Sequence, residues 1–335
     1  MSISAFTTVL GSSDDNAMPR PPFDPALEAA RNSAFLDPEI FVSVDKMRAA
    51  QPDTFSLDLF LSKFKTLLHA EYTIPGPNTG SSVTLSVFTP KRSTNASLPV
   101  VYNIHGGGQI AGTRFAGIEG VAGWLTGLDV VLITVEYRLA PEHPAPAALD
   151  DSFIGLTWVA DHAIDLGVDP LRIMVVGVSG GGPIAAACAI QARNRGYPKL
   201  CGQLLSTPML DSHVDTVSSL QYEALTHWSG RTNRMAWQCV LGKEANSAEV
   251  SELVSPSRAT SLPGVASAFI DVGEAEVFRD EAVAYASTLW KSGVSAELHI
   301  WPGAWHGFDM LAPEAPVSKA ATAAKVDWIR RTLFV

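Results

Sequence analysis

Gly177-Val178-Ser179-Gly180-Gly181 lies between an apolar run, Leu171–Val176, and a predicted helix over Pro183–Arg193. A strand that turns directly into a helix forces the turn residue into a strained backbone conformation, and neighbouring glycines let the two elements approach closely. Strain of this kind costs about 1 kcal/mol or more and usually marks a functional position. The pattern therefore predicts that Ser179 is held out as a nucleophile.

A second glycine tract supports the interpretation of Ser179 as a nucleophile. Such support is needed, since Gly-x-Ser-x-Gly alone also occurs by chance and in phosphate-binding loops. His105-Gly106-Gly107-Gly108 follows the apolar run Leu98–Ile104, and its backbone amides can converge on an anion. An acidic stretch, Asp271–Asp280, and then His306 follow the serine along the chain. The chain thus offers a glycine tract, a serine, an acid and a histidine in that order.

Short apolar strands alternate with amphipathic helical stretches from about Glu71 onward. This alternation predicts an α/β fold with a mostly parallel eight-stranded sheet and helices on both faces. Strands are predicted at Glu71–Ile74, Val83–Phe88, Val100–Ile104, Val130–Glu136, Ile173–Val178, Gly202–Ser206, Ser267–Val272 and Ala296–Trp301. Both glycine tracts then fall at the carboxyl ends of strands, where open α/β sheets bind their ligands.

Two segments interrupt the alternation. Residues 1–70 contain predicted helices at Pro38–Ala49 and Leu57–His69 before any strand, and residues 210–263 separate two predicted strands. We expect both segments to form a cap over the strand ends of a core made of residues 71–209 and 264–335, and to shape an apolar acyl pocket. The alternative for residues 210–263 is packing against the side of the sheet.

Composition excludes several classes of function. Of the 335 residues, 47% are hydrophobic and 17% are charged, which suits a large sheet buried on both faces. The net charge is −10 and no basic cluster is present, so nucleic acid is not expected as a partner.

The chain begins without the basic start and the sustained apolar stretch of a signal peptide, and no run of roughly 18 apolar residues suggests a membrane helix. We therefore expect a cytoplasmic protein that does not bind membranes. Cys188, Cys201 and Cys239 lack the paired spacings of a zinc or redox site. We interpret them as core thiols and predict neither a metal nor a cofactor.

His306 is the candidate general base. Cleavage by a serine needs a base, an orienting acid and donors for the oxyanion, and His306 lies in a glycine-opened loop after the last predicted strand. His105 belongs to the glycine tract, which we expect it to fix in place, and His143 lies in a proline-rich turn. The other histidines are assigned to helical or strand contexts: His69, His162, His213, His227 and His299.

Four carboxylates compete for the role of the acid. Asp271 should lie inside a strand and Asp280 in the following helix, which leaves Glu274 and Glu276 on the turn that points toward the base. Glu276 lies nearer the helix start and is preferred as the orienting acid, but the spacing does not exclude Glu274. For the oxyanion, we expect the amides of three glycines to converge: Gly106, Gly107 and Gly180.

The chain resembles the hormone-sensitive-lipase-like branch of the α/β-hydrolase esterases, over most of its length beyond about residue 70. The resemblance rests on His105-Gly-Gly-Gly, on the run Glu136–Asp151, on the serine turn, on Phe278–Glu281 and on His306-Gly307-Phe308. It implies Ser179 as nucleophile, His306 as base and the same three oxyanion glycines.

The resemblance also implies the acid, because in this family it stands three residues before the arginine of the Arg-Asp-Glu run. That residue is Glu276, where most members have aspartate, and the substitution looks like fungal members of the group. The usual Gly-Asp-Ser-Ala-Gly turn is also altered, with Val178 in place of the aspartate and Gly180 in place of the alanine. Neither change removes a catalytic atom.

We expect a serine carboxylesterase that acts on esters with short to medium acyl groups through an acyl-enzyme on Ser179. Lactonase, amidase or acyltransferase activity on a secondary metabolite uses the same acyl-enzyme and stays open. Relatives that act as hormone receptors lack the base, so the presence of His306 argues against a non-catalytic receptor. Ser179 likewise argues against the plant dehydratases, which have threonine there.

Two further expectations concern the surroundings of the site and the assembly. Four aromatic residues either line a substrate pocket or pack the cap: Tyr222, Trp228, Trp237 and Trp305. The last predicted strand, Ala296–Trp301, could pair with its copy in a homodimer.

Overall fold

One eight-stranded sheet organises the chain. The computed structural model describes residues 18–27, 38–50, 56–91, 97–224, 226–244 and 249–334. The strands are β1 (Leu67–Pro75), β2 (Ser82–Pro90), β3 (Leu98–Ile104), β4 (Val131–Glu136), β5 (Val168–Val178), β6 (Gly202–Ser206), β7 (Ala268–Gly273) and β8 (Ala296–Trp301). Their order is β1-β2-β4-β3-β5-β6-β7-β8. β1 and β2 run antiparallel to their neighbours and the other six strands are parallel. The predicted α/β fold and all eight strands are confirmed.

Helices cover both faces of this sheet. They are α1 (Val44–Ala49), α2 (Leu57–Lys63), α3 (Ile118–Trp124), α4 (Ala147–Asp161), α5 (Ala163–Leu166), α6 (Gly181–Arg195), α7 (Val217–Gln221), α8 (Gly230–Leu241), α9 (Arg279–Lys291), α10 (Phe308–Leu311) and α11 (Pro316–Leu333). Short 3-10 helices cover Pro38–Val42, Gly242–Glu244 and Pro256–Arg258. Among the helices that the structure describes, none combines the length and the apolarity that crossing a bilayer requires.

The central strands are apolar throughout because both of their faces are buried. Successive side chains of a strand point to opposite faces, and every residue of β3 is buried. Val100 and Tyr102 pack in one apolar cluster with α4, α6 and α9. Val101 packs in a second cluster, on the other face, with α3 and α11. This explains why β3 shows a continuous apolar run rather than an alternating pattern.

The order of the strands brings the two glycine tracts together. From β3 the chain continues to β4 on one side, while β5 pairs with β3 on the other side. Open α/β sheets bind ligands where the strand order reverses in this way, at the carboxyl ends of the strands. His105 directly follows β3 and Ser179 directly follows β5, so the topology places both at this point.

Two helix predictions in the N-terminal segment need correction. The predicted helix Leu57–His69 ends at Lys63, because Leu67–His69 belong to β1 and pair with β2. The predicted helix Pro38–Ala49 is a 3-10 helix followed by α1, and Ser43 separates the two. The Ser43 hydroxyl accepts a hydrogen bond from the amide of Lys46 and so caps α1.

Candidate active site

Ser179 occupies the strained turn between β5 and α6. Its φ angle is 53°, in the left-handed region that residues other than glycine rarely adopt. The flanking glycines are required by close contacts, since a Cβ on Gly177 would lie 2.5 Å from the carbonyl oxygen of Gly181. A Cβ on Gly181 would lie 2.1 Å from the carbonyl oxygen of Ile104. The turn therefore has the strained geometry expected from its sequence.

His306 meets Ser179 from the loop between β8 and α10. Its Nε2 atom lies 2.9 Å from the Ser179 hydroxyl oxygen. Gly307, with φ of 75°, follows the histidine and is the N-cap residue of α10. Both side chains are largely buried, and Ser179 and His306 are 7% and 8% exposed. The structure thus brings together two residues that are 127 positions apart in the chain.

Glu276 is the carboxylate that reaches this histidine. Its Oε2 atom lies 2.7 Å from His306 Nδ1, and its Oε1 atom accepts a hydrogen bond of 2.7 Å from the Gly273 amide. Glu274, which spacing left open, accepts a hydrogen bond from the Gly303 amide instead. Asp271 lies in β7 and Asp280 in α9, as expected. Glu276 is completely buried, so its two contacts hold it in one orientation.

The tautomer of His306 follows from these contacts. An ionised carboxylate can only accept hydrogen bonds, so the proton of the neutral imidazole lies on Nδ1, facing Glu276. Nε2 is then an acceptor, and it faces the hydroxyl of Ser179 at 2.9 Å. This arrangement can draw a proton from the serine oxygen.

The glycine tract lies directly against the serine turn. A Cβ on Gly106 would lie 3.3 Å from the Ser179 Cβ, and a Cβ on Gly180 would lie 2.4 Å from the amide nitrogen of Gly108. Gly107 has a φ angle of 103°, which a side chain would disfavour. The structure therefore places Gly106 and Gly180 at the contact between the glycine tract and the serine turn, and Gly107 follows Gly106 in the same tract.

His105 is buried in the glycine tract and remains uncharged. Its ring stacks on Tyr137 with a centroid distance of 4.1 Å, and its Nδ1 atom lies 2.8 Å from the carbonyl oxygen of Gly106. The Tyr137 hydroxyl donates a hydrogen bond to the His105 carbonyl. Burial lowers the pKa of His105 to about 4, although the Gly106 carbonyl opposes the shift. These contacts agree with a role in fixing the loop.

Aromatic rings surround the imidazole of His306. Phe278 packs edge-on against it at 5.0 Å, and the rings of Trp228 and His227 lie 6.1 Å and 6.0 Å away. Sequence reasoning did not place Phe278 or His227 here. The assignment of His213 and His227 to helices or strands is also wrong, because both lie in turns between elements.

The four aromatic candidates differ in position. Trp228 contacts the site, because a Cβ on Gly108 would lie 2.2 Å from its ring. The other three pack elsewhere: Tyr222 donates a hydrogen bond to Pro21, Trp305 donates one to Leu27, and Trp237 is buried in the larger apolar cluster. Trp228 is therefore the candidate whose ring packs against the His306 ring, at 6.1 Å.

The described residues contain no group of three or more His, Cys, Asp or Glu side chains that could hold a metal ion. Cys188, Cys201 and Cys239 are free thiols. Burial raises the pKa of Cys201 to about 12 and that of Cys188 still further, so both thiols are protonated and unreactive.

Comparison with known proteins agrees with this geometry. A family model described as alpha/beta hydrolase fold matches residues 100–310. The chain is 31% identical over 316 residues to carboxylesterase NlhH of Mycobacterium tuberculosis, which covers 94% of this chain and 97% of that protein. It is 29% identical over 259 residues to an AB hydrolase superfamily protein of Schizosaccharomyces pombe, with 74% and 75% covered. The solved structure of a bacterial heroin esterase superposes with a TM-score of 0.85 at 32% identity, covering 93% of this chain and 98% of that one.

Proposed function

The chain belongs to the hormone-sensitive-lipase-like esterases of the α/β-hydrolase family and is a carboxylesterase, and we propose that Ser179, His306 and Glu276 carry its reaction. The observation that supports these roles is the continuous chain of contacts from Ser179 Oγ to His306 Nε2 at 2.9 Å, and from His306 Nδ1 to Glu276 at 2.7 Å.

The proposed reaction proceeds through an acyl-enzyme. The Ser179 oxygen attacks the ester carbonyl carbon while His306 takes the hydroxyl proton, and a tetrahedral intermediate forms. His306 then gives this proton to the leaving alcohol, and the ester C–O bond breaks. Water, activated by the same imidazole, attacks the acyl-enzyme, and the acid is released from Ser179.

Glu276 and the glycine amides supply positioning and charge. The Glu276 carboxylate keeps the proton on Nδ1 and stabilises the imidazolium that forms in each step. The amides of Gly106, Gly107 and Gly180 donate to the negative oxygen of the intermediate. Loss of one such donor typically costs about 3 kcal/mol of transition-state stabilisation.

We propose short- to medium-chain acyl esters as substrates. Trp228 and Phe278 pack around the imidazole, and Ser179 is only 7% exposed. These aromatic side chains exclude water from a small apolar acyl group and leave limited room for a longer one beside Ser179.

Turnover of p-nitrophenyl acetate and p-nitrophenyl hexanoate tests the nucleophile. We expect Ser179→Ala to lower kcat by at least about 10⁴-fold, because residues of such a unit act together. Ser152→Ala is the matched control, since Ser152 is fully buried in α4 and its hydroxyl has no hydrogen-bond partner among the described residues. Equal turnover by Ser179→Ala and wild type would reject the proposal.

The same assay separates the two glutamates of the turn. Glu276→Gln should lower kcat by about 10³- to 10⁴-fold, because an amide facing Nδ1 favours the wrong tautomer. Glu274→Gln should keep nearly full activity, since Glu274 contacts the Gly303 amide and not the base. The reverse result would assign the orienting role to Glu274.

We further propose that residues 18–66 and 210–263, as far as the structure describes them, form a cap on the core of residues 71–209 and 264–335; residues 67–70, which we expected in the first segment, belong to β1. Two contacts support this division. Trp228 from the second segment packs on Gly108, and Arg48 from the first donates a hydrogen bond of 2.8 Å to the carbonyl of Ile110, just beyond the glycine tract.

We also propose that the protein forms a homodimer through β8. This strand lies at one edge of the sheet, and its Ile300 side chain is 39% exposed. An edge strand presents unpaired backbone groups that a second copy can satisfy.

Within the family, we propose that the chain is of the fungal type. The glutamate at position 276 and the fission yeast relative support this assignment. An alignment in which glutamate at this position is confined to fungal members would agree with it, and a glutamate spread evenly among bacterial members would contradict it.

A further inference from the structure

A buried ion cluster joins the two segments that carry Glu276 and His306. The Lys325 ammonium, on α11, makes hydrogen bonds to the carboxylates of Asp271 and Asp309, the latter at 2.9 Å. Lys325 and Asp271 are completely buried and Asp309 is 6% exposed. Such full burial of an ammonium is rare and requires partners of opposite charge.

The positions of the two aspartates connect this cluster to the candidate active site. Asp271 lies in β7, five residues before Glu276, and the β7 strand leads directly into the acid turn. Asp309 lies in α10, three residues after His306. Lys325 therefore touches both the strand that supports the acid and the helix that follows the base.

Further contacts hold the cluster in one arrangement. The Trp301 indole, at the end of β8, donates a hydrogen bond of 3.1 Å to Asp271. The Lys325 ammonium also lies 5.3 Å from the centre of the Trp124 ring on α3. Burial disfavours the ammonium, but the two carboxylates outweigh this effect and the pKa of Lys325 is raised. The charge at this position is thus permanent at neutral pH.

Stability alone does not account for such a cluster. Apolar side chains of similar volume often stabilise a core as well as a buried ion pair does, because ions pay a large desolvation penalty. Directional contacts can instead fix one geometry among several that an apolar core would tolerate. Here the elements that are fixed are β7 and α10.

We propose that Lys325 is a positioning residue for the ester hydrolysis, which holds the acid turn and the base loop at the separation where Glu276 meets His306. This inference rests on the proposed function of those two residues. Lys325 itself touches neither the substrate nor the reacting atoms. A displacement of about 1 Å in a catalytic group can cost about 10²-fold in rate.

The first test replaces Lys325 with methionine, which keeps most of the volume and removes the charge. We expect Lys325→Met to lower kcat for p-nitrophenyl acetate by about 10- to 100-fold with KM unchanged within about twofold. The far-downfield proton resonance of the His306 Nδ1–H···Glu276 hydrogen bond should shift or disappear in the ¹H NMR spectrum.

Ile329→Ala is the matched control. Ile329 lies on the same helix, is fully buried in an apolar cluster and makes no polar side-chain contact. This variant should melt at a lower temperature, but it should keep the wild-type kcat and the downfield resonance. If Lys325→Met behaves in the same way as Ile329→Ala, Lys325 has a structural role only and the proposal fails.

A milder variant covers the case in which Lys325→Met does not fold. Asp309→Asn preserves shape and the pair of Lys325 with Asp271, but it weakens the contact to α10. We expect a smaller fall in kcat in the same direction, again with KM unchanged and the resonance shifted. A folded Asp309→Asn protein with wild-type kcat and resonance would overturn the proposal.

The two proposals can fail separately. If wild-type protein does not hydrolyse the ester, the proposed function is wrong, whereas the NMR comparison needs no turnover and still reports the geometry. An active wild type whose resonance is unaffected by Lys325→Met rejects only the positioning role.

Discussion

His105 is a histidine that its surroundings keep neutral at working pH. Its ring is fully buried against Tyr137, and this burial disfavours a positive charge on the imidazole. The pKa of about 4 in the folded protein lies below the ordinary value of 6.5. Between pH 6.5 and about 4, His105 is therefore mostly protonated in the unfolded chain and mostly neutral in the folded protein.

This difference makes stability depend on pH. The contribution of His105 to the free energy of unfolding is fully present above pH 6.5 and decreases as the pH falls toward 4. At pH 4.5 the free energy of unfolding is lower by about 2 to 3 kcal/mol. Urea unfolding between pH 4.5 and 7.5 measures the loss. His105→Gln does not titrate, so its free energy of unfolding should fall less over this range than that of wild type. Parallel curves for the two proteins would contradict the prediction.

The catalytic candidates were predictable at the residue level because each one lies in a local motif. Ser179 and His306 stand among glycines directly after predicted strands, and the structure brings them within 2.9 Å. The choice between Glu274 and Glu276 depends on which side chain turns toward the base, and spacing alone did not decide it. Phe278 and His227 could not be placed, because their proximity to His306 arises only when separate segments pack together.

At the scale of elements, burial explains which predictions succeeded. The central strands are apolar because helices cover both faces of the sheet, so their positions could be found from the runs of apolar residues in the sequence. The predicted helix Leu57–His69 failed because residues 67–69 pair with β2, which is a contact between distant parts of the chain. Local propensity does not record such pairing.

The Arg48 side chain connects helix α1 to the segment that follows the glycine tract, beside the apolar packing of Met47. The Arg48 guanidinium donates hydrogen bonds to the carbonyls of Ile110 and Ala140 and makes a two-pronged contact with Glu142. The rigid fork of the guanidinium matches the positions of these acceptors, whereas the ammonium of a lysine does not. Arg48 thus links the proposed cap to the segment that follows the glycine tract.

Removal of this link should loosen α1. We expect Arg48→Ala and Arg48→Lys to increase hydrogen exchange of the amides in residues 44–49 and to raise KM several-fold, with a stability loss of about 1 to 2 kcal/mol. Lys46→Ala is the control, since Lys46 lies on the same helix and its ammonium pairs with the exposed Glu39. Unchanged exchange in Arg48→Ala would show that other contacts hold the helix.

At the scale of the whole molecule, the sheet has one open edge close to the base. β8 is the last strand in the sheet order and pairs with β7. The carboxyl end of β8 leads to the loop that holds His306. A dimer through β8 would bury this edge. Each copy carries a net charge of −10, so the two copies repel each other, and added salt should favour association by screening this repulsion.

Ile300→Lys tests the proposed dimer. Ile300 lies on β8 with 39% of its surface exposed, and a lysine there would bring two like charges together across a symmetric interface. We expect light scattering to give twice the chain mass of 35.7 kDa for wild type, with more dimer at higher salt, and the monomer mass for Ile300→Lys. Ile164→Lys is the control, because Ile164 is 94% exposed on α5, away from β8, and its replacement should leave the dimer intact. A monomeric wild type, or an Ile300→Lys variant that still dimerises, would show that β8 is not the interface.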